Sequence, residues 1–592
     1  MNWPARVRNL FLFASYFALS VAPFLPMLLW GRSMPHAGQL LGLQLLLWAA
    51  LWAVFGQPAN FHWLLLPAFL ALPFEIYLLV FFGQGLSAHH LGIMAETTSG
   101  EALEFMGSRA WLMLAVLVAV AMWWVLAFVA ARHTEGLAWR GKTRCGFLLL
   151  VGTLVGAAAY AHEFGIAGAR QQEGTTWEAP EAGAHTLGIS AMPPLPHVAQ
   201  LIHSVDLSQT RPFGLIAQVV DYFNERAQLA KLTQGAQNFS FQAHQRQPDG
   251  APEVVVMVLG ESSRFDRWSL NGYARDTTPL LAKESNLLAL SDVVTPVSIT
   301  RQSVPIIVTR KPASAALTSG YHERSFVSAY KEAGFRTWWL SNQLTYGTHD
   351  TPVSAYSQEA DHQAHLNPGG HTDQSSYDAA LLEPLQRALA APAPRKLVVL
   401  HTLGNHWNYG RRYPAQFDRW QPSLTDIDRP DLDNPAHRER ASNSYDNSIL
   451  YTDWFLAQVI GILKRQQQRA VLVFASDHGE VLADESCPKF LHGHGTQHEL
   501  HVPAFVWYSD QYRTRYPDKI AELQRHRAER LGTPDFFHTL LDLGDIRYPG
   551  ERLEWSFAQA AYTPRQRLVA AGGWADYDTA ERKGTCLALA AK

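Results

Sequence analysis

Two regimes of hydrophobic and polar patterning divide this chain. In the first, five apolar runs, at about 10–30, 38–56, 61–83, 110–131 and 146–164, each approach the ~20 residues a helix needs to cross a bilayer. In the second, beyond residue 250, apolar runs of strand length at 253–259, 336–341, 396–401, 470–476 and 502–508 alternate with helical stretches at 321–333, 376–390 and 444–465. Strands that are apolar throughout, separated by helices, predict a parallel or mostly parallel sheet covered on both faces. Reactive side chains then gather at the carboxyl edge of that sheet. The expected fold is a five-helix transmembrane bundle followed by an α/β soluble domain.

Charge follows the same division. Asp, Glu, Lys and Arg number 14 in the first 165 residues and 87 in the remaining 427. Arg6 and Arg8 precede the first run, and Arg132, Arg140, Lys142 and Arg144 separate the fourth from the fifth; only Arg32 and Arg109 fall on the opposite side. This bias places the amino terminus in the cytoplasm and, after five crossings, the soluble part outside, in the periplasm of a Gram-negative cell. The first run alone would also suit a cleaved signal peptide, but four more runs behind it favour an anchor. Glu75 lies inside the third span, where an ionisable group calls for a polar partner. The expected domains are 1–165 in the membrane, 166–250 as a bridging helix and linker, and 251–592 as the catalytic part. Within the bridge, Ile216, Val219, Val220, Phe223 and Leu229 recur at helical spacing, which suits a helix on the membrane surface or one packed on the soluble domain. A net charge of -3 with no basic block gives no reason to expect nucleic acid as a partner.

The candidate chemistry sits at two strand ends more than two hundred residues apart. One reads Val256-Met-Val-Leu-Gly-Glu261-Ser-Ser-Arg264 and the other Phe474-Ala-Ser-Asp477-His478-Gly-Glu480. Glu261, Asp477 and His478 offer two hard oxygens and one imidazole nitrogen, a set compatible with tetrahedral zinc that leaves a fourth position open. Hydroxyls lie between them, in Thr295-Pro-Val-Ser298-Ile-Thr300-Arg-Gln-Ser303-Val-Pro305.

This order of motifs resembles the alkaline-phosphatase and sulfatase superfamily, and within it the membrane-bound phosphoethanolamine transferases that modify lipid A and the lipopolysaccharide core. The resemblance implies a sulfatase-like (alkaline-phosphatase-like) α/β/α domain holding Zn2+, with one ion expected and a second site open. It implies a nucleophile seven residues before Pro305, at Ser298, where the family usually has Thr; Thr300 and Thr295 remain competitors. Ser298 would fill the fourth metal position, take phosphoethanolamine from phosphatidylethanolamine, and pass it to a lipopolysaccharide (core or lipid A) or other periplasmic glycan. His401-Thr-Leu-Gly-Asn-His406 is similar to a family segment whose second histidine protonates the leaving alkoxide or stabilises phosphoryl oxygens. His492 and His498 match histidines that bind substrate or a second metal, though either would also suit a hydrogen-bonded surface loop. Thr97 and Glu101 match an outward loop that binds the lipid head group; a helix capped by Thr97 is the plainer reading. Arg264 and Glu480 are expected to support the metal ligands rather than bind the ion.

Only Cys145, Cys487 and Cys586 are present. The lipid A branch typically carries several disulfides, so the chain looks closer to the core-modifying branch, as do Asn342-Gln343 and Tyr445-Asp446-Asn447. An oxidising compartment permits one Cys487–Cys586 bridge. The resemblance runs from about 85 to 510, and the last eighty residues add little to it. The same metal site would also serve a phosphoglycerol transferase or a phosphatase/sulfatase-type hydrolase, and a non-catalytic membrane scaffold would keep the fold without the metal.

Overall fold

Strand β1 (Glu253–Gly260) is buried along its whole length. Val255, Met257 and Leu259 face one hydrophobic core, with Val304, Ile307 and Phe326, while Val254, Val256 and Val258 face another, with Tyr445, Ile449 and Leu456. A run with no polar alternation is what a strand covered on both faces requires. In chain order the sheet continues with β2 (Leu287–Val294), β3 (Arg336–Ser341), β4 (His362–His365), β5 (Arg395–His401), β6 (Arg469–Ser476), β7 (His501–Tyr508) and β8 (Leu531–Gly532). Their spatial order is β8-β2-β7-β6-β1-β5-β3-β4. Strands β6, β1, β5, β3 and β4 are mutually parallel. Among the described strands of this sheet, only β7 runs against its neighbours, β6 and β2. The sheet is therefore mostly parallel, as the patterning predicts.

The computed structural model describes residues 3–30, 37–81, 86–87, 90–92, 94, 109–164, 207–236, 239–317, 321–343, 352–367, 377–427, 430, 434–483 and 487–590. The described residues up to Phe223 form one compact unit and those from Asn224 a second.

In the second unit some elements differ from expectation, and the permitted disulfide is present. Strand β2 was not foreseen, because its burial is only partial and its Ser291-Asp292 pair interrupts the apolar run. The helix expected at 444–465 begins at Pro435, capped by the Asn434 side chain on the Ala436 N–H. Its first turns are polar and carry no apolar period to detect. Cys487 and Cys586 form a disulfide with Cα atoms 4.5 Å apart.

In the first unit, five helices are long and apolar enough to cross a membrane: Ala5–Phe24, Ala37–Phe55, Pro58–Leu79, Trp111–Arg132 and Lys142–Tyr160. The first and last begin before their apolar runs, since a helix continues through polar flanking turns that hydropathy does not mark. Leu12, Tyr16, Phe61, Leu65, Phe69, Ala127 and Ala131 form its core. Several polar groups beside them are paired, as helices packed in an apolar medium require: Trp123 donates to Ser15 Oγ at 2.9 Å, and Gln44 to the Ser20 and Arg211 carbonyls at 2.9 and 3.0 Å. Glu75 has a partner that its own neighbourhood in sequence did not reveal. Arg211 lies 2.9 Å from its Oε1, and the Leu86 N–H donates to Oε2 at 3.0 Å. A helix follows at Gly214–Ala236. Its Ile216, Val220 and Phe223 are 71%, 50% and 60% exposed, an apolar stripe open to the surroundings.

Candidate metal centre and active site

The register of β1 on β6 builds the centre. Gly260 pairs with Ser476, so the next residues, Glu261 and Asp477, leave the carboxyl edge side by side. Gly260 is required there, since a Cβ would lie 2.8 Å from the Phe474 ring. Glu261, Asp477 and His478 are all buried and offer donor atoms within 4.8 Å of one another. His478 Nε2 is 3.4 Å from Glu261 Oε1 and 3.6 Å from Asp477 Oδ2. His478 Nδ1–H donates to the Gly479 carbonyl at 2.8 Å, which leaves the Nε2 lone pair facing the carboxylates. Gly479 is fixed in turn: its N–H donates to the Glu499 carbonyl at 2.7 Å, and a Cβ would meet the His498 carbonyl at 2.1 Å.

Burial disfavours the charges in this group. It raises Glu261 well above the usual carboxylate range, with the Asp477 charge adding to the effect. Burial lifts Asp477 to about 6 and pushes His478 well down, helped by the neighbouring His492. Two buried carboxylates against a neutral imidazole nitrogen leave negative charge that a divalent cation would offset. Two oxygens, one nitrogen and an open fourth position match zinc.

The three hydroxyls of the intervening segment separate clearly. Thr300 Oγ1 donates to Glu261, 3.2 and 3.1 Å from its two oxygens, and lies 3.3 Å from His478 Nε2. Ser298, expected at the metal, instead accepts the Gly493 N–H at 3.2 Å. Thr295 is buried and donates to the Val297 carbonyl at 3.2 Å. The physical reason is where the helix begins. The backbone is extended at Ile299, and Thr300 is the first residue of the helix Thr300–Val308, whose positive amino end points its hydroxyl at the carboxylates. One turn later, Ser303 Oγ donates to Asp477 Oδ2 at 3.3 Å, a contact that i, i+3 spacing from Thr300 would have suggested.

Other expected residues fall around this group. His406 Nδ1–H donates to the Trp407 carbonyl at 2.7 Å, and its charge is near enough to depress His478. The His492 and His478 rings are 4.4 Å apart between centroids. Burial works against the His492 cation, but Glu480, with Oε2 3.3 Å from Nδ1, outweighs it and lifts His492 to about 9. Glu480 thus contacts His492, and the metal group contains neither residue. His498 turns to a separate cluster, with Nδ1 3.0 Å from Arg264 Nη2 and 3.3 Å from Asp266 Oδ2. Arg264 holds Asp266 through both Nε and Nη2, at 2.9 and 2.6 Å. Thr97 and Glu101 lie outside the described residues. Gln343, whose place at the centre no local spacing indicates, donates to Glu261 Oε2 at 3.0 Å and to the Thr402 carbonyl at 2.8 Å, orienting that carboxylate.

This sheet and its edge define a known class. Residues 253–546 match the Sulfatase family, so the chain carries a Sulfatase domain. Within that class its relatives are phosphoethanolamine transferases, nearer in sequence to EptC and CptA than to EptA. It is 31% identical to phosphoethanolamine transferase EptC of Escherichia coli K12 over 311 residues, 50% of this chain and 52% of that protein. The chain thus spans about half the length of that curated relative. The crystal structure of the C-terminal periplasmic domain of E. coli EptC in complex with Zn aligns with 57% of this chain and 95% of that one, at 28% identity and TM-score 0.50. The integral membrane protein EptA of Neisseria meningitidis shares the fold over 93% of this chain and 98% of its own, at TM-score 0.63 and 20% identity.

Proposed function

We propose that this chain is a zinc-dependent phosphoethanolamine transferase of the bacterial inner membrane. Residues 1–165 anchor it, 166–250 connect, and 251–592 form the periplasmic catalytic part. Phosphatidylethanolamine is the donor, and a lipopolysaccharide or related periplasmic glycan is the acceptor. The observation that carries the reading is the Thr300 hydroxyl, which shares hydrogen-bonding distance with Glu261 and His478 at the edge of the sheet. Thr300, rather than Ser298, is then the nucleophile.

Zinc held by Glu261, Asp477 and His478 would supply Lewis-acid charge that lowers the pKa of the attacking hydroxyl. In the first half-reaction the Thr300 oxygen bonds to phosphorus as the bond to diacylglycerol breaks. The proton that Thr300 loses and the one the diacylglycerol oxygen gains balance across the step. His406, its ring held by the Nδ1–H bond to the Trp407 carbonyl, would as the imidazolium give the leaving oxygen its proton. In the second half an acceptor hydroxyl displaces Thr300 from phosphorus. The helix beginning at Thr300 directs its positive end at the phosphoryl oxygens throughout.

The test is to incubate the purified full-length protein with phosphatidylethanolamine and follow diacylglycerol release and protein mass. One phosphoethanolamine on Thr300, not formed by zinc-chelated protein and formed again once zinc is restored, is the expected result. Free phosphoethanolamine with no protein adduct would overturn the assignment in favour of a hydrolase, and diacylglycerol release from phosphatidylglycerol but not from phosphatidylethanolamine would overturn it in favour of a phosphoglycerol transferase.

A further inference from the structure

The last forty residues lie beyond the Sulfatase match, which ends at residue 546, yet they touch both halves of the site. On one side, the Ala570 N–H donates to the Pro296 carbonyl at 2.9 Å, within the strap that leads from β2 to Thr300. Ala570 also packs with Val297 and Ile306, the latter on the helix that Thr300 begins. On the other side, the hairpin of Glu581–Lys583 with Ala588–Ala590 grips the loop that carries His492. The Leu589 N–H donates to the Gly495 carbonyl at 3.0 Å, and the Gln497 N–H to the Leu587 carbonyl at 3.1 Å. Arg582 Nε donates to Gln497 Oε1 at 2.7 Å. Gly495 has φ +65°, and a Cβ there would lie 2.8 Å from Ala571 Cα, so loop and tail touch at backbone distance. The Cys487–Cys586 bond ties the start of this loop to the same hairpin. Loop and strap then meet at the Gly493 N–H and Ser298 Oγ, 3.2 Å apart.

We infer that this carboxyl-terminal segment is a positioning element for the active site, holding the His492 loop and the Thr300 strap in register with the metal ligands. Arg582 and the Cys487–Cys586 pair are its key residues on the loop side. They act on the loop rather than on the reacting groups, Arg582 through the Gln497 side chain and the disulfide through the hairpin that bonds the backbone of Gly495 and Gln497. Partners that orient the groups around a metal typically change affinity or activity by ~10–100-fold when lost.

The inference rests on the zinc-transferase reading, and its test separates the two. Full-length wild type, Cys487→Ala/Cys586→Ala, Arg582→Ala and Arg582→Lys are compared well below the melting temperature of each. Two quantities are measured: zinc affinity by competition with a chromophoric chelator, and the rate of protein labelling at saturating phosphatidylethanolamine. We expect the paired cysteine variant and Arg582→Ala to bind zinc about 10-fold more weakly or worse. Labelling should slow by a similar factor at unchanged KM for lipid, and Arg582→Lys should recover part of both. Folded variants with wild-type zinc affinity and labelling rate would reduce the segment to a stabilising role and overturn the inference. Should the cysteine variant fail to fold, the two Arg582 variants decide. A wild type that neither binds zinc nor takes label would sink the transferase reading itself.

Discussion

Exchanging the roles of two neighbouring hydroxyls tests the site most directly, because Thr300 and Ser298 are two residues apart and differ entirely in contacts. Thr300→Ala removes the oxygen that sits 3.1 to 3.3 Å from Glu261 and His478. Loss of a nucleophile from a site that works as a unit costs ~10⁴-fold or more in rate. Ser298→Ala removes only the acceptor of the Gly493 N–H. A partly buried donor left without its acceptor costs ~1–3 kcal/mol. Even if all of that cost were felt in the transition state, the rate would fall roughly 5- to 150-fold. The two variants should therefore differ by about two orders of magnitude or more. Intact mass and peptide mapping after incubation with phosphatidylethanolamine give the assay, with single-turnover diacylglycerol release as the rate. Ser298→Ala should still carry the adduct on Thr300, and Thr300→Ala should carry none. An adduct that survives Thr300→Ala but vanishes with Ser298→Ala would refute the placement of the nucleophile.

Three further perturbations probe the surroundings. Arg211→Met strands the buried Glu75 carboxylate, and breaking such a pair costs ~3–5 kcal/mol, so thermal inactivation in detergent should occur well below wild type; Glu75→Arg/Arg211→Glu should recover part of the loss. Burial holds His401 near a pKa of about 3, with the His365 charge adding to the depression, so below about 6.5 the unfolded chain takes up a proton that the folded one refuses. Its contribution is complete above pH 6.5 and is lost toward pH 3 at about 1.4 kcal/mol per unit, so the stability gap between wild type and His401→Gln, measured by denaturant unfolding, should shift against wild type over that window. Gly479→Ala drives a methyl into the His498 carbonyl and should abolish labelling while zinc binding weakens, both readable on the purified protein.

Much of the fold was legible because its determinants are local. An apolar run without alternation reads as a doubly covered strand wherever it lies, and five such strands were placed to within a residue or so. The convergence of Glu261 with Asp477 and His478 was also legible, since strands that end in ligand-type residues deliver them to one edge once they pair. Strand β2 was not, because Ser291-Asp292 breaks its apolar run and one of its partners, β7, follows it by some two hundred residues in sequence. The role of the carboxyl terminus was hidden for the same reason. Its hydrogen bonds to Gly495 and Pro296 involve backbone atoms, which any residue could provide and no motif records.

Sequence by itself determined the two regimes of the chain, the strand-end ligands and a short choice of hydroxyls. Each of these follows from composition or from spacing along a few residues. Tertiary structure alone decided that Thr300 rather than Ser298 meets the carboxylates, that Arg211 answers Glu75, and that the tail braces the His492 loop. Those outcomes depend on where a helix starts and on which distant groups then come within ~3 Å, the range over which hydrogen bonds and ion pairs act. A contact that short between residues 39, 136 or 178 positions apart exists only once the chain has folded.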